Sequence, residues 1–170
     1  MESIIKKELP RRLYIYGETG TGKSLLVRYM EKKLNSDVYL KSPSGSWEGY
    51  KGEKIVLIND MTNEEWKYIK FNLKKWIDYE KFLSSPVKDR MTKMEIKDGV
   101  YIEPSEYTLI ITSYKSLEEF LNQERVIEGE KGLNDRDIDK IRRILEVHEL
   151  THKDIKEIEE DIKRIVDERK

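Results

Sequence analysis

The residues whose types and spacing could do chemistry lie first in Gly17-Glu-Thr-Gly-Thr-Gly-Lys-Ser24. The interval between Gly17 and Gly22-Lys23-Ser24 is the Walker A spacing of a phosphate-binding loop. The glycines let the backbone bend so that N–H groups from Thr19 onward converge on phosphate oxygens, and a helix opening behind them adds the positive end of its dipole. Lys23 brings a full charge, and the Ser24 hydroxyl suits Mg²⁺. The nucleotide-binding candidates are therefore Gly17, Glu18, Thr19, Gly20, Thr21, Gly22, Lys23 and Ser24.

A second group, Asn59-Asp60, ends the apolar run Lys54-Ile-Val-Leu-Ile58. A buried parallel strand that delivers a carboxylate at its end can place it on hydrated Mg²⁺ or on the attacking water, so Asp60 is the Walker B candidate with Asn59 beside it. A third pattern, His148-Glu-Leu-Thr-His152, has the zinc-peptidase spacing, with Glu149 as nominal base. It is set aside, because Thr151 with Asp154 reads as a helix cap that would break the single helix the motif needs. Two surface histidines near a helix junction are expected there instead.

These groups need elements to position them. Leu13 to Tyr16 reads as a strand entering the loop, and Leu25, Leu26, Tyr29, Met30 and Leu34 recur at helical spacing after it. Asp37 to Lys41 reads as a short strand, followed by a glycine-punctuated loop in which Trp47 and Tyr50 pack. Thr62-Asn-Glu-Glu65 is a capping box for a helix burying Trp66, Ile69, Leu73, Trp76 and Ile77. Ser84-Ser-Pro86 breaks that pattern. Met94 to Ile102 alternates around Asp98-Gly99, a hairpin signal with Lys97 at its tip. Tyr107 to Ser113 is another buried strand, ending in hydroxyls. Leu117 to Asn122 should be a short helix, and Arg125 to Ile127 an edge strand. A helix is expected from Asn134 or Asp135 through Leu145, and a last one, capped at Thr151, with Ile155, Ile158, Ile162 and Ile165 on one seam. That seam is too short to hold a coiled coil alone and should pack on its own domain. Residues 1–132 are read as the core, and 133–170 as a C-terminal helical segment packed on it or extending it.

The 170 residues suit one domain with a substantial core. There is no cysteine, which excludes disulfides and thiolate metal sites and favours an intracellular setting. No apolar run approaches a membrane span, so a soluble protein is expected. The net charge of −1 provides no global field toward nucleic acid, so any such contact must be focal.

Taken in order, these pieces resemble the helicase domain of Rep proteins from circular single-stranded DNA viruses and related plasmids, a branch of the superfamily 3 helicases. Pro10 to Ser24 is similar to their Walker A region, and Trp47-Glu-Gly-Tyr-Lys-Gly52 resembles their Trp…Gly-Tyr…Gly segment before Walker B. Lys97-Asp98-Gly99 corresponds to their Lys-Gly-Gly hairpin, and Ile111-Thr112-Ser113-Tyr114 to their Ile-Thr-Ser-Asn strand end. The resemblance implies an α/β, AAA+-like P-loop fold with a central, mostly parallel sheet of strand order 5-1-4-3-2. It implies ATP and Mg²⁺ as cofactors, a ring-shaped homo-oligomer, possibly a hexamer, assembled on ATP and DNA, and movement on single-stranded DNA in rolling-circle replication. Lys97 would touch the DNA backbone, Ser113 or Thr112 would stand in for the polar sensor, and Arg142 or Arg143 would reach the neighbouring subunit's nucleotide, with Arg125 and Arg136 in reserve; the setting would be the cytoplasm or a host nucleus.

Three departures accompany the resemblance. Asn59-Asp60 stands where the family has paired acids, Tyr114 where it has Asn, and Asp98 where it has Gly. A nucleotide-binding module with weakened hydrolysis, and an RNA-directed superfamily 3 helicase, are the alternatives. The family's nuclease domain has no counterpart in these residues, so a lone helicase domain is expected.

Overall fold

The runs that read as buried strands contain side chains apolar on both faces, which only the interior of a sheet covered on both sides can accommodate. The computed structural model describes residues 11–17, 22–44, 47–77, 95–97, 100–101, 107–124 and 132–168. In chain order the elements are β1 (Arg12–Tyr16), α1 (Lys23–Leu34), β2 (Val38–Leu40), β3 (Ile55–Ile58), α2 (Asn63–Ile77), β4 (Glu95–Lys97), β5 (Val100–Tyr101), β6 (Thr108–Ser113), α3 (Leu117–Glu124), α4 (Asp135–Ile144), β7 (Glu146–Glu149) and α5 (His152–Glu168).

Five strands form one sheet in the order β2-β3-β6-β1-β7, with every neighbouring pair parallel. Counted along the chain, that is the expected order 5-1-4-3-2. Residues 1–10, 18–21, 45–46, 78–94, 98–99, 102–106, 125–131 and 169–170 lie outside the described residues, and with them the Ser84-Ser-Pro86 break and the Arg125 to Ile127 edge strand. The hairpin is present as the antiparallel pair β4–β5, Glu95 opposite Tyr101 and Lys97 opposite Val100, with Asp98-Gly99 outside the description.

Alternation along the strands divides the core between two faces. Tyr14, Val56, Ile58, Leu109 and Ile111 point to the side covered by α2, α3 and α4, which contribute Trp66, Ile69, Leu73, Trp76, Phe120, Ile138 and Ile141. Leu13, Ile15, Ile55, Leu57 and Ile110 point to the other side, against Leu26, Val27, Tyr29 and Met30 of α1 and Ile158 of α5. Ile162 and Ile165 pack on the edge of that second cluster, so the isoleucine seam lies on its own domain, as its length requires.

The C-terminal segment departs from the expectation in one respect. It is not helical throughout, because Glu146 to Glu149 pairs with Leu13 to Tyr16 as the fifth strand. The inward side of β7 is polar, which hides it from a hydropathy reading: buried Arg11 grips Glu146 with Nη2 at 2.5 Å from Oε2. Among the described residues, no helix is long and apolar enough to cross a membrane.

Candidate functional site

Parallel strands deliver all their carboxyl ends to one edge, and here that edge gathers the polar sequence motifs. β1 runs into Gly17, whose N–H donates to the Ser113 carbonyl at 3.3 Å. Gly22 caps α1 with φ 89°, a left-handed conformation that a Cβ would strain. Lys23 opens the helix, and its Nζ donates to the Gly17 carbonyl at 2.6 Å, so the ammonium is held across the mouth of the loop. Ser24 follows in the first helical turn and is exposed. Glu18, Thr19, Gly20 and Thr21 lie outside the described residues.

One strand, β6, lies between β1 and β3. Its end is stitched to the turn carrying Asn59 and Asp60. Thr112 Oγ1 accepts from the Asp60 N–H at 2.9 Å and donates to Asn59 Oδ1 at 2.8 Å, while the Met61 N–H donates to the Thr112 carbonyl at 2.8 Å. Asp60 itself has φ 52°, a left-handed conformation that Asp tolerates better than most residues. The cross-strand stitch holds that turn in place and leaves the Asp60 side chain exposed at the sheet's edge.

Ser113, expected as a polar sensor, is fully buried, and its hydroxyl donates to the Met61 carbonyl at 2.7 Å and accepts from the Lys115 N–H at 3.2 Å. It therefore braces the same turn. Behind it Tyr14 donates its hydroxyl to the Lys115 carbonyl at 2.7 Å, and burial raises its pKa strongly, keeping it a neutral donor. Tyr114 is 54% exposed.

A second carboxylate stands near Asp60. Glu65, in the first turn of α2, is half-buried, and its pKa is raised by burial first and by the charge of Asp60 second. In the sequence it reads only as part of the capping box, of which the Glu65 N–H to Thr62 Oγ1 contact at 3.4 Å is present. Its nearness to Asp60 depends on how the turn after β3 folds, which residue spacing does not disclose.

From the Trp47-Glu-Gly-Tyr-Lys-Gly52 segment, Trp47 and Tyr50 are built into the core, and the other four residues are exposed. Trp47 is 1% exposed and meets Tyr39, Tyr50, Trp76 and Tyr107 with ring centroids 6.0, 5.4, 6.4 and 5.2 Å away. Under it Lys41, buried at the end of β2, lies 4.8 Å from the Trp47 ring centroid and 4.2 Å from that of Trp76, and donates to the Ser44 carbonyl at 2.7 Å. Burial lowers its pKa from the ordinary 10.5 to about 7.

The two candidate arginines end α4, immediately before Glu146, which pairs with Leu13 at the start of β1. They therefore sit toward the opposite end of the sheet from Gly17 and Gly22, which flank the phosphate-binding loop. Arg142 is tied to Glu118 of α3 by Nε–Oε1 2.6 Å and Nη2–Oε2 2.9 Å. Arg143 is exposed and has no polar partner among the described residues. Arg136 is exposed at the other end of the helix. Lys97 is in β4, and its side chain is outside the description.

His148 and His152 do not share a helix. His148 lies in β7, half-buried, with Nε2 buried and lacking a hydrogen bond among the described residues, whereas His152 is the first residue of α5. Asp154 caps that helix, accepting from the Thr151 N–H at 2.8 Å and from its hydroxyl at 2.9 Å. The strand-to-helix break separates the pair that a zinc-peptidase helix would place on one face.

A model of the RNA helicase family matches residues 13–106, from the strand before the loop to just before β6. The match covers more than half of the chain, and the protein belongs to that family. A search of curated proteins returned no match. Family membership agrees with the helicase-type domain that the motifs suggested, and it carries nucleotide hydrolysis and nucleic-acid binding as general functions.

Proposed function

We propose that this chain is the ATP-dependent helicase domain of a rolling-circle replication initiator of the Rep type, acting as a ring on single-stranded DNA. The observation that supports the ATP-dependent part of the reading is the convergence of Gly22-Lys23 and Asn59-Asp60 on one edge of the sheet, with β6 stitched between them, and the ring and the DNA strand rest on the resemblance of the motifs to Rep helicase domains. Lys23 would exchange its bond to Gly17 for phosphate oxygens. Ser24 and Asp60 offer hard oxygen donors, a set that suits Mg²⁺, which completes its shell with water and phosphate. The metal would neutralise charge on the transferring phosphoryl group. Asp60, with Glu65 nearby, would orient water, and Lys97 would contact the nucleic-acid backbone.

Two observations favour narrower alternatives. The matching family is described as RNA helicase, which favours an RNA strand as the track. Asn59 spends its Oδ1 on Thr112 and has no second carboxylate to offer, which favours weakened turnover. A competition between single-stranded DNA and RNA of one sequence, at a fixed and stated salt concentration, tests the track, since backbone contacts dominate affinity for both. Preference for DNA supports the Rep reading, and preference for RNA replaces it. In the same preparation Asn59→Asp with Tyr114→Asn should raise turnover several-fold. Full turnover by the unaltered chain would remove the weakened-module alternative.

A further inference from the structure

The stretch that imitates a zinc motif is split between β7 and α5, and this junction lies against the residues that flank the nucleotide loop. At the loop's entrance the Leu150 N–H donates to the Tyr16 carbonyl at 2.9 Å, extending the β7–β1 pairing by one residue. At its exit Ile155 of α5 lies against Gly22. A Cβ at position 22 would come within 2.7 Å of Ile155 Cγ1 and 3.2 Å of its Cδ1, so the two residues are already in contact. Between these contacts the Thr151–Asp154 cap fixes the first turn of α5. The helix body is anchored by Ile158, fully buried against α1 and the sheet.

We infer that the β7–α5 junction is a clamp that holds Tyr16 and Gly22, on either side of the phosphate-binding loop, with Ile155 as a positioning residue for nucleotide binding. The inference rests on the nucleotide-site reading above. Gly22 has no side chain of its own and, among the described residues, no side chain caps the start of α1, while Ile155 lies directly against the left-handed turn before Lys23. Ile155 backs that turn. A shift of Gly22 toward the space left by a smaller side chain would carry the Lys23 amide and ammonium with it. A displacement of that size matters because phosphate binding depends on converging N–H groups.

By linkage, nucleotide binding should stabilise the docking of α5 to the same extent that α5 favours nucleotide.

The test is titration of the folded 170-residue chain with Mg²⁺-ATP by calorimetry, well below each variant's melting temperature. Ile155→Ala is expected to raise Kd about tenfold, a typical coupling between linked sites, with a smaller change in turnover at saturating ATP. Ile155→Val, which keeps a branched carbon against Gly22, should bind nearly as the parent does. Ile162→Ala, two turns along the seam, should lower stability without changing Kd. ATP should also slow amide exchange over residues 151–158 of the parent, a readout that does not depend on any variant folding. Unchanged ATP affinity in Ile155→Ala, equal weakening in Ile162→Ala, or no ATP-dependent protection of those amides would overturn the clamp. Lys23→Ala separates the two levels. If it loses ATP binding while Ile155→Ala does not, only the clamp falls; if it binds ATP like the parent, the site reading falls and the clamp with it.

Discussion

Lys41 concentrates a conflict between solvation and charge in one side chain. It is 5% exposed, two indole faces lie within cation–π range, and burial has brought its pKa from 10.5 to about 7. Because the folded pKa lies below the unfolded one, the unfolded chain holds the extra proton between those two values. Stability should therefore rise as pH climbs from 7 toward 10.5. Each tenfold change in proton affinity is worth about 1.4 kcal/mol, and the indoles offset part of it by favouring the cation, so about 1–3 kcal/mol is expected. Lys41→Met should be more stable than the parent at neutral pH, and the gap should close by pH 10. Thermal melts of both proteins across that range measure it, and parallel curves would contradict the argument. At the residue scale the phosphate loop was legible, because its chemistry lies in consecutive backbone groups. The Thr112 stitch was not, since Asn59 and Asp60 stand 53 and 52 residues from their partner. Nor was the nearness of Glu65 to Asp60.

Elements were legible in proportion to how apolar their buried sides are. The residues 55–58, 108–113 and the buried face of α2 carry signals that local spacing records, and all formed where the pattern indicated. β7 did not stand out, since its half-buried positions are Glu146 and His148 and the cation that satisfies Glu146 is Arg11, 135 residues away. A related polar joint holds the helical layer together. Glu124, at the end of α3, accepts from Lys70 of α2 at 3.1 Å, from Trp66 Nε1 at 2.9 Å, and from the Leu133 N–H, just ahead of α4, at 2.8 Å. Lys70 and Glu124 side chains are 6% and 1% exposed. Removing the cation leaves a buried carboxylate without its counter-charge, so Lys70→Met should cost roughly 3–5 kcal/mol. Replacing both, as Lys70→Met with Glu124→Gln, should recover part of that loss. Urea unfolding of the two variants decides it. A single variant as stable as the parent would show that the ion pair does not hold α2 to α3.

At the scale of the molecule, parallel topology separates two groups of candidate residues. Lys23 and Asp60 lie at the carboxyl edge of the sheet, whereas Arg142 and Arg143 lie toward its other end, and the proposed ring would bring them to a neighbouring copy's nucleotide. Arg142 is already engaged by Glu118, so on the proposed ring reading Arg143 would be the finger. On this account specific activity rises with protein concentration through the assembly range, and Arg143→Ala lowers turnover by roughly a thousandfold in the assembled state while ATP still binds. Arg142→Ala should be milder. Turnover strictly proportional to concentration would sink the shared site. The central claim, that the loop and the β3 turn form an ATP-hydrolysing centre coupled to a nucleic-acid strand, is tested most directly by steady-state ATP turnover. The measurement compares the parent with Lys23→Ala, each with and without single-stranded nucleic acid. The account predicts Mg²⁺-dependent turnover that the strand stimulates in the parent and that is lost in Lys23→Ala. Equal turnover in the two proteins, or a parent that neither binds nor hydrolyses ATP with the strand present, would contradict it.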